Sequence, residues 1–172
     1  MVILKKIKKE DFFILFNSKN LVCYLLSITM FLFDRVSKVK IINHENIENS
    51  IFINDYLNFE LIWNTGIGFG FLSTDSNLIY NTITTIIGIV IFFLIYLITK
   101  VKIYDKILLS LVLGGALGNC YDRFTYFAVP DFIDIHYGNF HWFTFNIADI
   151  FITLGIVIFI FKDLLTKNEK KL

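Results

Sequence analysis

Residues Leu78 to Thr99 form a run of 22 residues without one charged side chain. As a helix rising about 1.5 Å per residue, this run is about 33 Å long, enough to cross the hydrocarbon core of a bilayer. A backbone in hydrocarbon must satisfy its own hydrogen bonds, so the run has to be helical. The rest of the chain is constrained by it. Tyr104 to Arg123 and Phe145 to Asp163 read as further spans. The strictly apolar run from Leu21 ends at Phe33, too short to cross. Counted on through Asp34, Arg35 and Lys38 to Ile42 it reaches 22 residues, with its polar positions at one end. The expected architecture is one mainly α domain over 1–172 with four transmembrane helices, about 21–42, 78–99, 104–123 and 145–163. The segments 44–74 and 124–144 stay outside the bilayer. A chain with 56% hydrophobic residues and 20 phenylalanines carries more apolar surface than a soluble core of this length can hide.

Lysines set the expected orientation. Lys5, Lys6, Lys8 and Lys9 precede the first span. Lys100, Lys102 and Lys106 lie in a short connection after the second, and Lys162, Lys167, Lys170 and Lys171 follow the last. Segments 44–60 and 126–144 hold acids and no lysine. The positive-inside rule then puts both termini in the cytoplasm and both long, partly β segments outside. The N-terminus resembles the basic region of a signal peptide. No small-x-small cleavage site follows Leu21–Phe33, so the first span is expected to stay uncleaved. A net charge of +1 offers no basic field for nucleic acid.

Outside the spans, Ile51 to Trp63 alternates loosely and is rich in β-branched and aromatic residues, which predicts two short strands. Gly66, Gly68 and Gly70 follow, without the strand and helix context of a phosphate-binding loop. Cys23 and Cys120 lie in apolar runs and read as small buried hydrophobes. His44, His136 and His141 have no metal-site spacing, and His136 and His141 read as interfacial or loop residues, so neither a metal nor a cofactor is expected.

The acids between Gly114 and Asp149 carry the chemistry. Asp149 stands a few residues inside an apolar run, where a carboxylate is costly unless paired, wetted or protonated. Asp131 lies in the preceding loop, close enough along the chain to fold back onto it. Two adjacent carboxylates cannot both ionise easily. One then takes a proton from water while the other donates a hydrogen bond to a carbonyl. Such a pair hydrolyses peptides without a covalent intermediate. Asp134, in the same loop, is a rival for Asp131, and Asp122 reads as structural, pointing away from Arg123.

Five stretches, GGALGNCYDR (Gly114–Arg123), VPDFID (Val129–Asp134), FNIAD (Phe145–Asp149), NTGIGFGFL (Asn64–Leu72) and the Asp34/Lys38 pair, resemble in order and spacing the signature of the lipoprotein signal peptidase (signal peptidase II) family. The resemblance implies a four-helix aspartyl peptidase of the bacterial cytoplasmic (inner) membrane, with a small extracytoplasmic β-cradle and a short loop helix. It implies a monomer among membrane lipids that acts on diacylated prolipoproteins, cutting on the N-terminal side of the lipidated cysteine. The family's catalytic aspartates match Asp131 and Asp149. Positions that bind substrate or support the site match Asp34, Lys38, Asn64, Gly66, Asn119, Arg123, Asn146 and Ala148. Plainer roles stand beside these. Arg123 either anchors the Asp131 loop, holds a substrate carbonyl or meets lipid phosphate. Asn146 orients the acids or caps a helix. Asn64 binds substrate main chain or turns the chain before Gly66. Asp34 and Lys38 tie the first helix to the site or form an interfacial pair. Three positions depart from the family pattern: Pro130 replaces an aliphatic residue, Arg35 a glutamine and Ile150 a small residue. A proton-coupled carrier and a non-enzymatic scaffold are the alternatives from other classes. The carrier would need acids spread through the bilayer depth, and the scaffold gives no reason for Asn146 and Asp149 inside a span.

Overall fold

The structure, a computed structural model, describes residues 15–45, 50–66 and 77–169. Its elements in order are α1 (Ser18–Glu45), β1 (Ser50–Asn54), β2 (Leu57–Asn64), α2 (Asn77–Lys100), α3 (Ile103–Tyr126), β3 (Val129–Tyr137), β4 (Phe140–Phe145) and α4 (Ile147–Glu169). Among the described residues, three helices are long and apolar enough to cross a membrane, over Ser18–His44, Leu78–Lys100 and Ile103–Tyr126. The fourth, α4, has 23 residues but carries Asp149, Lys162 and Asp163. Val22, Leu25, Phe92, Ile89 and Phe161 are among the large side chains the helices leave exposed. Such apolar surface on a helical bundle suits lipid better than water.

Helix α3 is the hub, packing against α1, α2 and α4. Its buried side chains Leu109, Val112, Leu113, Ala116 and Cys120 meet Cys23 of α1 and Ile91, Leu94 and Ile98 of α2. Cys23 and Cys120 are free thiols in this core. Glycines let the backbones close up. A Cβ on Gly114 would collide with the Ser27 carbonyl of α1, and one on Gly115 with the Ala148 carbonyl of α4. A Cβ on Gly118 would collide with the Asp34 carboxylate. These are backbone or pinned atoms that cannot swing aside. Gly115→Ala is therefore expected to destabilise by about 1–3 kcal/mol. Gly88→Ala, whose Cβ meets nothing within 4 Å, should be neutral or slightly stabilising. Thermal unfolding in detergent compares the two.

The expected connection between the second and third spans is shorter than its lysines suggested. Lys106 already belongs to α3, is buried, and donates to Asn20 Oδ1 of α1 at 2.5 Å. Ser27 Oγ donates to the Ser110 carbonyl one turn further on (3.0 Å). Asp105 pairs with Lys162, tying α3 to α4 near the opposite end from the acids.

The four strands form one antiparallel sheet in the order β1-β2-β3-β4. The first hairpin covers the two strands expected in 51–63. Its turn is closed by Asn54 Oδ1, which accepts from the Tyr56 N–H at 2.9 Å. The segment after α3, expected to be partly β, forms the β3–β4 hairpin. No short loop helix is found among the described residues of 124–144 or in 50–66, and 67–76 lie outside the described residues. Phe127, with φ 56, ends α3 in the left-handed region and sends the chain back into β3. Gly138, with φ 57, makes the tight turn to β4. Pro130 pairs only with Trp63 of β2. The β4 ladder begins at Ile133, so at Pro130 the other edge of β3 is open, the setting in which a strand tolerates proline.

Candidate active site

Asn146 and Asp149 form a reciprocal cap at the start of α4. Asn146 Oδ1 accepts the Asp149 N–H at 3.1 Å, and Asp149 Oδ2 accepts the Asn146 N–H at 3.2 Å. This is a capping box, which fixes both side chains by local backbone geometry alone. It leaves the Asn146 amide group free to point elsewhere. That Nδ2 donates to Asp131 Oδ1 at 2.5 Å. The helix cap and the orientation of the acids are therefore one arrangement, and Asn146 joins the strand acid to the helix acid.

Asp131 sits on β3 opposite Ile62. Asn64, opposite Val129, is its diagonal neighbour on the same face and donates to Asp131 Oδ2 at 2.8 Å. The other end of the Asn64 amide accepts the Gly66 N–H (2.8 Å), so Asn64 serves as turn residue and carboxylate ligand together. Asp131 is buried. Burial first, then the nearby Asp149 charge, push its carboxyl up to about 7, against the hydrogen bonds from Asn64 and Asn146 that favour the ionised form.

A second layer runs from α1. Lys38, 0% exposed, donates to Asp34 Oδ2 (2.8 Å), Asn119 Oδ1 (2.9 Å) and Asp122 Oδ2 (2.7 Å). Asn119 in turn donates to Asp149 Oδ1 at 2.8 Å. Asp34 Oδ1 accepts the Ala148 N–H at 3.0 Å, holding one of the unpaired donors at the start of α4. Arg35 pairs with Asp122 Oδ1 at 2.6 Å and lies over the Tyr121 ring, so the arginine at this position is absorbed into the same network. Arg123 holds Gly66, not the Asp131 strand. Its guanidinium donates to the Gly66 carbonyl (2.5 Å), and Tyr80 Oη donates to the Arg123 carbonyl (2.9 Å).

The structure thus brings Asp34, Lys38, Asn64, Gly66, Asn119, Arg123, Asn146 and Ala148 into one connected cluster around Asp131 and Asp149. Gly68 and Gly70 lie outside the described residues. Asp134 is elsewhere, bonded to His141. The reading of the residues overlooked Tyr80 and the pairing of Asp122 with Lys38. Asp122 and Asn119 stand three apart on α3, which marks a shared face, but only the packing of α1 shows what lies opposite. Two mostly apolar clefts, of about 290 and 310 Å³, meet at Asp149. One runs past Trp142, Phe145 and Ile150, the other past Asn119, Arg123 and Ile152.

A helical bundle with apolar flanks and a polar cluster built round two carboxylates defines an integral membrane protein with an enzyme-like site. Solved structures agree. The fold is similar to that of a bacterial membrane enzyme determined by the in meso method at 2.3 Å resolution, with TM-score 0.76 and 30% identity over 87% of this chain and 91% of that one. A second such structure, at 1.9 Å resolution, gives TM-score 0.69 and 30% identity over 83% and 92%. A family model described as signal peptidase (SPase) II matches residues 26–165, and the chain belongs to that family. It is 46% identical to the lipoprotein signal peptidase of Pelagibacter ubique (strain HTCC1062), over 90% of this chain and 95% of that protein. It is 41% identical to that of Francisella tularensis subsp. novicida (strain U112), over 85% and 93%.

Proposed function

We propose that the chain is an intramembrane aspartyl endopeptidase that removes signal peptides from diacylglyceryl-modified prolipoproteins, cutting on the N-terminal side of the lipidated cysteine. Membership of the signal peptidase II family supports the substrate class. The observation that carries the catalytic type is Asn146, whose backbone and side chain bind Asp149 while its amide binds Asp131. The pair shares one proton and titrates as a unit. One acid of the pair keeps the proton and donates it to the scissile carbonyl while the other takes a proton from the attacking water. The tetrahedral intermediate collapses as the water-derived proton passes to the leaving amine and the hydroxyl formed from the carbonyl returns its proton to the first acid. The apolar clefts on either side of Asp149 suit acyl chains and a hydrophobic signal segment. In this reading 1–172 is one domain with α4 as a fourth span, both termini are cytoplasmic, and the sheet covers the site from outside a bacterial inner membrane. The enzyme works as a monomer among lipids. A proton-coupled carrier is not supported: the relatives are peptidases and the cluster is gathered at one end of the bundle.

The test uses the purified full chain in detergent with a diacylated lipobox peptide and mass-spectrometric mapping of the cut. Cleavage before the modified cysteine is expected, with little or none of the unmodified peptide. Cleavage that ignores the lipid, or falls elsewhere, overturns the substrate assignment. The shared proton also gives a pH profile. Activity should fall as pH rises through about 7, where Asp131 loses its proton. Asn64→Ala removes a donor that favours the ionised form, so its alkaline limb should move to higher pH by roughly half to one unit. An unmoved limb would show that Asn64 does not tune the pair.

A further inference from the structure

The face of the sheet opposite Asp131 carries a second cluster. Along β3, Asp134 and His136 are two residues apart and share a face, whereas Asp131, three residues before Asp134, points the other way. His136 stands directly opposite His141 of β4, and Asp134 directly opposite Asn58 of β2. His141 Nδ1 is 2.8 Å from Asp134 Oδ2, and His136 Nδ1 is 3.6 Å from the same oxygen, too far for a hydrogen bond. One ligand atom from each of Asp134, His136 and His141 lies within 4.8 Å of the others. A hydrogen bond between His141 and Asp134 leaves three buried atoms unexplained: Asp134 Oδ1, His136 Nδ1 and Asn58 Oδ1 have no hydrogen-bond partner among the described residues. Asp134 is 3% exposed, so such atoms are costly unless something answers them.

We propose that Asp134, His136 and His141 form a binding site for a zinc-like divalent transition metal, with Asn58 as a candidate fourth oxygen donor. In a tetrahedral zinc site with bonds of about 2.0–2.1 Å, neighbouring ligand atoms are about 3.3 Å apart. The two Asp134 to histidine separations bracket that value. Two imidazoles and one carboxylate select a borderline metal such as zinc over magnesium or calcium, which take oxygen shells. His141, with a side chain 55% exposed, leaves the cluster open for entry. A bound ion would staple β2, β3 and β4 together a short distance along β3 from Asp131. This site is separate from the peptidase site and does not depend on the reading of that site.

The test is titration of Zn²⁺ into the chelator-stripped full chain in detergent, against a chromogenic chelator. One ion per chain is expected, with His136→Ala and His141→Ala each weakening binding by at least about 10-fold. Asp131→Asn should bind like wild type, which separates this site from the acid pair. Saturating Zn²⁺ should raise the thermal midpoint of wild type by about 5 °C or more and leave His141→Ala unmoved. Excess Mg²⁺ should not compete. If a histidine variant fails to fold, Co²⁺ loaded into wild type still decides, since a four-coordinate nitrogen and oxygen site gives intense visible bands. Zn²⁺ binding equal in wild type and histidine variants, or an octahedral Co²⁺ spectrum, overturns the proposal.

Discussion

Asp131→Asn and Asp149→Asn should each reduce cleavage of a diacylated precursor by about 10⁴-fold or more while leaving a folded membrane protein. The size follows from shared function. One carboxylate must accept a proton from water and the other must donate one, so removing either acid removes both steps. For the same reason the double variant should be scarcely worse than either single one. The burial of Asp131 also predicts a stability signature, whatever the pair does chemically. Asp131 is pushed up to about 7, so the folded chain binds that proton more tightly than the unfolded chain does. The resulting stability is full below about pH 4 and is lost as pH rises through about 7. The amide that replaces the carboxyl in Asp131→Asn does not titrate. Between pH 5 and pH 8 the stability difference should therefore move in favour of Asp131→Asn, by roughly 1–4 kcal/mol. Denaturation of both proteins at several pH values reads this directly. A difference that stays flat across the range would mean that the Asp131 carboxyl is not held protonated by its surroundings. Residual cleavage within about 10-fold of wild type in either variant would remove the mechanism.

Much of this arrangement can be read in the chain before any coordinates. The uncharged run at Leu78–Thr99 dictates a membrane helix, and Asp34 and Lys38, four apart, must share a helix face. Asn146 and Asp149, three apart before an apolar run, are the sequence form of a capping box. Other features depend on contacts that sequence separation does not encode. Lys106 looks like a loop lysine until α1 is seen to bring Asn20 against it. Arg123 could have reached several carbonyls, and only the return of the chain after β2 selects Gly66. The β character of 124–144 is legible, but Asp131 reads as a loop residue because Pro130 beside it argues against a strand unless one edge is open, and the structure puts it on β3. His136 and His141 have no metal spacing in the chain because their proximity is a matter of strand register, and register is not visible until β3 and β4 are paired.

Lys38→Met should be among the most damaging single substitutions away from the acids themselves. Its ammonium uses three donors on three side chains, Asp34, Asn119 and Asp122, all from inside the bundle. Met fills the space but leaves two buried carboxylates short of a partner. Breaking one side of a buried charged cluster costs about 3–5 kcal/mol, more than its presence contributes over a packed apolar substitute. Asp122 keeps Arg35 and Asp34 keeps the Ala148 N–H, so the loss should fall within that range rather than unfold the chain outright. A drop of roughly 10 °C in thermal midpoint follows. Lys38→Arg should not rescue it, because a planar guanidinium cannot reach three convergent acceptors as a compact ammonium does. Activity separates positioning from simple stability. Without Lys38, Asn119 loses the bond that turns its Oδ1 away and its Nδ2 toward Asp149. At temperatures where Lys38→Met is still folded, kcat should fall by about 10- to 100-fold with KM little changed. A cycle combining Lys38→Met with Asp122→Asn should show coupling of about 1–3 kcal/mol. Independent effects, or a Lys38→Met protein within about 1 kcal/mol of wild type, would mean that α1 is held to α3 and α4 by its glycine-lined apolar contacts and not by this buried ammonium.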